Sequence, residues 1–244
     1  MNHRNGNPIK AILFDLDGTL RHHLPTGVQV FMDYLTSRGL HFSDEEKTRA
    51  ERWEHFYFAN SLEIQQDKKL YKDEGEFWLN YSKRRLVALG MHHPQAAEIA
   101  PDVSAHMGEH YKPEVYVPEE IPFVLTTLKD AGYILGVVSN RDEPYHEELK
   151  NLSLDPYFGF SLAAGEINAF KPDPRIFERG LELAGTSAQE TMYIGDNYYA
   201  DIVGSHRAGL TPVLYDPGTL FPDAECAVIR SFVELPDLLK RQSS

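Results

Sequence analysis

The sequence predicts an α/β protein: a doubly wound, Rossmann-like parallel sheet interrupted by a long all-helical insertion. Three observations carry that prediction. Short apolar runs of strand length, at 11–14, 134–138 and 191–194, alternate with helical stretches, and alternation of this kind calls for a parallel sheet with right-handed crossovers. A polar side chain stands just past the end of each run, Asp15, Ser139 or Asp196, and open α/β sheets bind ligands just past the carboxyl ends of their strands. Between Val28 and His110 no stretch reads as a strand. Residues 1–21 and 116–244 are therefore expected to form the sheet domain, and 22–115 a helical domain inserted into it.

The first run, Ala-Ile-Leu-Phe, is continuously apolar, as a strand buried on both faces must be. Asp15-Leu-Asp17-Gly18 follows at once. Alternation points Asp15 and Asp17 to one side if the backbone stays extended. Carboxylates so close repel, and one tends to hold a proton unless a cation lies between them. The pair thus invites a hard metal ion or a shared proton. Alone, the same four residues also read as a solvated turn, since Asp and Gly favour turns.

Arg21-His22-His23-Leu24-Pro25 reads as an exposed loop. Its two histidines lack a third His or Cys at matching spacing, so they do not read as a metal site. A helix is expected over 28–38, with Val28, Phe31, Met32 and Leu35 on one face and Gly39 as its stop. Ser43 and Glu46 form a capping box for the next helix. From Trp53 to Tyr81 the chain is rich in aromatics, among them Phe56, Tyr57, Phe58, Tyr71, Phe77 and Trp78. Aromatics at helical spacing usually pack between helices rather than touch substrate. Helices continue through 86–89 and 95–110.

Pro118 introduces a helix over 119–131 that Gly132 closes. The strand at 134–138 runs into Ser139-Asn140-Arg141-Asp142. A helix at 144–152 leads to a weaker strand at 160–163. Residues 165–174 read as a loop whose prolines set up a helix at 175–184. After the strand at 191–194, Gly195-Asp196-Asn197 opens a helix at 199–208 with Asp201 in its first turn and Gly209 at its end. Strands at 211–215 and 227–229 and a helix at 235–241 complete the chain. If the strands ending at Asp15, Ser139 and Asp196 are neighbours, those three side chains converge in one crevice.

Composition narrows the function. With 244 residues, 42% of them hydrophobic, the chain can bury a substantial core. A net charge of −13, from 24 basic and 37 acidic side chains, disfavours nucleic-acid partners. No apolar run approaches the roughly 20 residues that span a bilayer, and the first ten residues lack the apolar centre of a signal peptide. The single cysteine, Cys226, leaves no internal disulfide framework. A cytoplasmic protein without nucleic-acid or membrane partners is the expectation.

Four separated stretches resemble the haloacid dehalogenase-like (HAD) hydrolase superfamily: Phe14-Asp15-Leu-Asp17-Gly-Thr-Leu20, Val138-Ser139-Asn140, Lys171-Pro-Asp-Pro174, and Gly195-Asp196-Asn-Tyr-Tyr-Ala-Asp201. They stand in the family's order. The Asp-x-Asp-Gly-Thr stretch is fairly specific, the lone serine is weak, and the ordered set is strong. The helical insertion resembles the family's cap in the branch of phosphoglycolate phosphatase-like enzymes, and such an insertion could close over the site as other lids do.

The resemblance implies a phosphatase in which Asp15 takes the phosphoryl group as an aspartyl phosphate. Asp17 protonates the leaving alcohol and then takes a proton from water. Magnesium binds Asp15, the backbone carbonyl of Asp17, and Asp196. Ser139 and the Asn140 amide hydrogen-bond the phosphoryl oxygens, Lys171 neutralises charge on the phosphate and on Asp15, and Asp201 supports the site from behind. Two departures, Arg21-His22-His23 where many relatives carry an acidic or small polar residue and Arg141 where a smaller residue is common, bear on the substrate.

A haloacid dehalogenase would also use Asp15 but needs no metal and normally lacks the second aspartate. A phosphomutase shares the phosphoenzyme step and differs in what attacks next. A non-catalytic binding module on the same fold would be expected to have lost one of the aspartates or Lys171, and all are present.

Overall fold

The computed structural model describes residues 8–242. The chain forms two compact units: the first combines residues up to His22 with those from Tyr116 onward, and the second is His23–Val115.

The first unit is a six-stranded sheet in the order β5-β4-β1-β6-β7-β8. Its strands are β1 (Ala11–Phe14), β4 (Ile134–Ser139), β5 (Phe160–Ala163), β6 (Thr191–Gly195), β7 (Thr211–Tyr215) and β8 (Ala227–Ile229). Every pairing is parallel. β1 lies between β4 and β6, with Phe14 opposite both Val137 and Ile194. The chain runs outward from β1 in both directions, so the crevice at the carboxyl ends of β4, β1 and β6 is the switch point of a doubly wound sheet. The strand ends at Asp15, Ser139 and Asp196 are neighbours, as convergence requires.

Alternation divides the core between the two faces of the sheet. Ile12, Phe14, Val137, Met192 and Ile194 pack on one side with α6 (Glu120–Asp130) and α11 (Leu235–Gln242). Leu13, Val138 and Tyr193 pack on the other with Ile176 and Phe177 of α9 (Pro174–Ala184). Each fully buried side chain of this size contributes about 1.5–3 kcal/mol, and this holds the strand ends in fixed register.

The second unit contains α1 (Gly27–Ser37), α2 (Asp44–Phe58), α3 (Leu62–Leu70), α4 (Glu74–Ala88) and α5 (His93–His110). The capping box at Ser43 and Glu46 is formed, with the Ser43 backbone N–H donating to Glu46 at 2.7 Å. The aromatic stretch packs: Tyr57 and Tyr81 are buried among Trp53, Phe58, Phe77 and Ile64, and only some of its rings, such as Phe56 and Trp78, are exposed. No helix among the described residues is long and apolar enough to cross a membrane.

Four local expectations need correction. The segment read as a loop after Arg21 contains β2 (His22–Leu24), which pairs with a second unforeseen strand, β3 (Glu114–Tyr116), where the chain re-enters the sheet unit. The His22 ring lies against Tyr116 and Tyr215. Three-residue strands lack the length for a periodic signal. The loop expected from Gly165 contains a short helix, α8 (Ala164–Ile167). The helix expected after Asn197 begins as a wide turn, Tyr198–Ile202, and only then becomes α10 (Val203–Arg207). The Asn197 side chain shapes that wide turn by accepting from the N–H groups of Tyr199 and Ala200, at 3.1 and 3.0 Å.

Candidate active site

Asp15 leaves β1 while its N–H still donates to Ile194 O at 2.8 Å, so the last rung of the β1–β6 ladder fixes its backbone. Its side chain is buried and meets a buried ammonium. Lys171 Nζ donates to Asp15 Oδ1 at 2.6 Å, Asp201 Oδ1 at 2.7 Å, the Tyr193 hydroxyl at 2.9 Å and Val138 O at 3.2 Å. The Tyr193 hydroxyl donates onward to Val138 O at 2.8 Å. Lys171 reaches this position because Asn140 clamps its backbone. Asn140 Oδ1 accepts from Lys171 N at 2.6 Å, and Asn140 Nδ2 donates to Lys171 O at 3.0 Å. The Asn140 side chain therefore joins the end of β4 to the lysine loop.

Asp196 follows β6 and is tied to the β1 loop through Thr19. The Thr19 hydroxyl donates to Asp196 Oδ1 at 2.9 Å and accepts from Asp196 N at 3.0 Å. Gly18, at φ +86°, passes directly beneath this carboxylate. A Cβ there would stand 2.5 Å from Asp196 Oδ2, so both the left-handed backbone and the close approach require glycine. Asp201 Oδ2 accepts from Asn197 N at 3.0 Å, which anchors the lysine's second carboxylate to the turn after β6.

Asp15, Asp196 and Asp201 each offer an oxygen within 4.8 Å of the others. Asp15 and Asp201 thus pair with one ammonium while Asp196 stands beside them, and burial together with the neighbouring acids governs the protonation of Asp15 and Asp196. Burial, with the charges of Asp201 and Asp17, pushes the Asp15 carboxyl up to about 7 even though Lys171 opposes the shift. Burial and its two acidic neighbours raise Asp196 well above the ordinary carboxylate range. Burial alone would discharge Lys171, but Asp15, Asp201 and Tyr193 outweigh it and hold the ammonium firmly charged. A carboxylate paired with lysine would ordinarily be lowered; here one cation cannot serve three anions.

Asp17 is differently placed. The extended backbone ends at Phe14, residues 18–20 turn, and Asp17 bridges back to Arg21. The condition for a common side, an extended backbone through Asp17, is not met, and the two carboxylates have different partners. Its carboxylate accepts from Arg141, Nε to Oδ2 at 2.9 Å and Nη2 to Oδ1 at 3.1 Å, and from Arg21 Nε. Burial works to raise its pKa, but the two guanidiniums prevail and hold the carboxyl below the usual range. Both arginines also grip Glu148 on α7 (His146–Asn151).

Ser139, the last residue of β4, is buried at the strand end beside Asn140. Apart from Lys171, which lies between α8 and α9, the residues picked from the sequence lie at the ends of β1, β4 and β6 or on the segments that follow. Asp15, Lys171, Asp196 and Asp201 form one cluster, and Asp17 belongs to an adjoining arginine network. Thr19, Tyr193 and Glu148 were not singled out. Thr19 lies inside the quoted Asp-x-Asp-Gly-Thr stretch and Tyr193 alternates into the lysine face of β6. Glu148, seven residues beyond Arg141 on a short helix, carried no signal.

Comparison with known proteins identifies the family. Residues 12–214 match the family model described as haloacid dehalogenase-like hydrolase. The chain is 28% identical over 240 residues to phosphoserine phosphatase of Thermus thermophilus, covering 90% of this chain and 93% of that one. It is 26% identical over 223 residues to (S)-2-haloacid dehalogenase 4A of Burkholderia cepacia, covering 91% and 89%. In fold it resembles the magnesium-bound HAD-hydrolase YfnB of Bacillus subtilis, with a TM-score of 0.55 at 19% identity, covering 96% and 99%.

Proposed function

This chain belongs to the haloacid dehalogenase-like hydrolase family, and within it we propose a magnesium-dependent phosphatase that acts on a small phosphorylated metabolite through an aspartyl phosphate. The observation that carries this reading is the charge imbalance at the strand ends. Asp15 and Asp201 pair with Lys171 and Asp196 lies in the same cluster, so the ionised site holds two more negative than positive charges, the charge of one divalent cation. An all-oxygen carboxylate set suits a hard ion such as magnesium. Asp15, Asp196 and the Asp17 backbone carbonyl would hold it. When bound, the ion neutralises phosphoryl oxygens and lets Asp15 ionise.

The remaining chemistry falls to the chain's own groups. A carboxylate oxygen of Asp15 attacks phosphorus, the ester P–O bond breaks, and its electron pair leaves on the alcohol oxygen. That oxygen takes a proton from Asp17. Water then gives a proton to Asp17 and attacks the same phosphorus, releasing inorganic phosphate and the Asp15 carboxylate. Held by Arg21 and Arg141, Asp17 is in the carboxylate form that serves the second step. Service as the acid requires it to leave the arginines carrying a proton. Lys171 offsets charge on Asp15 and on the phosphoryl group, Ser139 and the Asn140 amide donate to the phosphoryl oxygens, and Asp201 holds Lys171 in place.

The Burkholderia relative favours a second reading, in which Asp15 attacks carbon and expels halide. That reaction gives Asp17 and Asp196 no task. Phosphate release from a panel of metabolite esters, and halide release from 2-halo acids, separate the two when each is measured in magnesium and in chelator. Magnesium-dependent phosphate release is expected. Halide release that persists in chelator, without phosphate release, would overturn the phosphatase reading.

A further inference from the structure

We propose that Arg21 and Arg141 form a carboxylate-binding subsite beside the reacting phosphate, and that the preferred substrates are phosphate esters carrying a carboxylate that takes the place of Glu148. The proposal rests on the phosphatase reading above and names the substrate class of the same site.

Two guanidiniums meet at one point, two residues along the chain from the proposed nucleophile. Arg21 donates from Nε to Asp17 and from Nη1 to Glu148 Oε1. Arg141 grips Asp17 with two nitrogens, and reaches both oxygens of Glu148, Nη1 to Oε2 and Nη2 to Oε1 at 3.2 Å. A planar guanidinium matches a planar carboxylate through paired hydrogen bonds. The fold thus presents two arginines arranged around carboxylates, and Glu148 shows what the outer position of that fork accepts.

The two carboxylates are held differently. Asp17 belongs to the tight loop after β1, whose turn is closed by Gly18 N donating to Arg21 O at 2.9 Å. Glu148 extends from α7, a six-residue helix. Its side chain is 29% exposed and that of Arg141 24%, against 2% for Lys171. The segment from Asn140 to Glu148 lines a cavity of about 550 Å³, within the size range of small-molecule sites. Arg141 and Glu148 stand in its wall, and Asn140, at the other end of the lining, is one of the two residues proposed to hold the phosphate.

An incoming carboxylate meets guanidiniums already oriented and largely withdrawn from water. It exchanges one charge-assisted pair for another, while Glu148 turns toward the cavity and regains hydration. A phosphate ester with an uncharged remainder has nothing to offer in that exchange and leaves Glu148 in place. Discrimination therefore comes from the arginine pair, and the reaction at Asp15 is common to both kinds of ester.

The test uses the full chain with magnesium and measures phosphate release. The substrates are phosphate esters of two- to four-carbon hydroxy acids, each matched with its primary amide, together with bisphosphates of similar size. The acids are expected to exceed their amides in kcat/KM by about tenfold or more, mainly through KM, the order associated with a charge-assisted hydrogen bond. Arg141→Gln should reduce that ratio to near unity. Glu148→Gln, which removes the resident competitor's charge, should lower KM for the acids more than for the amides. Equal specificity for acids and amides would overturn the subsite and leave the phosphatase reading standing. Faster turnover of bisphosphates than of any acid would overturn the carboxylate assignment. No phosphate from any ester would overturn both. If Arg141→Gln does not fold, the wild-type ratio and Glu148→Gln still decide, and an acid KM unmoved in Glu148→Gln would refute displacement.

Discussion

Raising the pH from about 4 to 7 without metal should remove stability from the sheet unit, on the order of 4 kcal/mol for the shift at Asp15. Burial and neighbouring acids lift this carboxyl from 3.8 to about 7 against the pull of Lys171. In the unfolded chain it titrates near its ordinary value, so across that interval the folded state binds more protons and stability falls as pH rises. The interval is about 3 pH units, each worth about 1.36 kcal/mol. Asp196 is shifted in the same direction and adds to the slope. Magnesium should reverse the effect, because it meets the same charge imbalance. At one hundred times its Kd a ligand stabilises by about 2.7 kcal/mol, and the gain should be larger at pH 7.5 than at pH 5, where protons compete for the carboxylates. Native-state hydrogen exchange of the β1 and β6 amides reports on the unit that holds the site. Measurements at pH 5, 6 and 7.5, each in chelator and in magnesium, give both dependences, and Asp15→Asn should flatten the chelator slope. If β1 and β6 grow more stable from pH 5 to 7.5 in chelator, or if magnesium stabilises equally at both ends, the shared-cation reasoning is wrong.

Other perturbations follow from the same geometry. Lys171→Met removes the ammonium from Asp15, Asp201, Tyr193 and Val138 O; it should cost about 3–5 kcal/mol near neutral pH, less at pH 5, and unchanged urea unfolding would contradict the assigned balance. Asp17→Asn should lower kcat by about 10²–10⁴-fold on an ester with a poor leaving group and by less on p-nitrophenyl phosphate; parent turnover on the poor leaving group would remove Asp17 from the chemistry. Gly18→Ala places a Cβ 2.5 Å from Asp196 Oδ2 at φ +86°, so magnesium affinity should fall by about tenfold or more with far-ultraviolet circular dichroism retained. Equal affinity would place the cation away from Asp196.

The sheet was legible because its strands are buried on both faces, which forces continuous apolar runs such as 11–14 and 192–194, and because a polar residue follows each functional run. The convergence of Asp15 with Asp196 could be anticipated from strand ends, but the sequence alone does not order β4, β1 and β6. The three-residue strands at His22 and Glu114 were not legible, since pairing between segments about ninety residues apart leaves no local pattern. The side-chain division at Asp17 was hidden for a related reason. Alternation presumes extension, whereas the strand ends before Asp17 and its carboxylate is gripped from a distant segment by Arg141. Arg21 and Arg141 stood out only as departures from a motif, and Glu148, which gives them a shared partner, is recognisable only in three dimensions.

The claim that Asp15 is the group phosphorylated during turnover has a direct measurement. Protein quenched in acid during hydrolysis of a phosphate ester, treated with hydroxylamine and mapped by peptide mass spectrometry, should carry one modified side chain, at Asp15. The label should be stronger in Asp17→Asn, where the second step is slowed, and missing in Asp15→Asn. Phosphate release at the parent rate from Asp15→Asn, or a label mapped to any other residue, would contradict the mechanism.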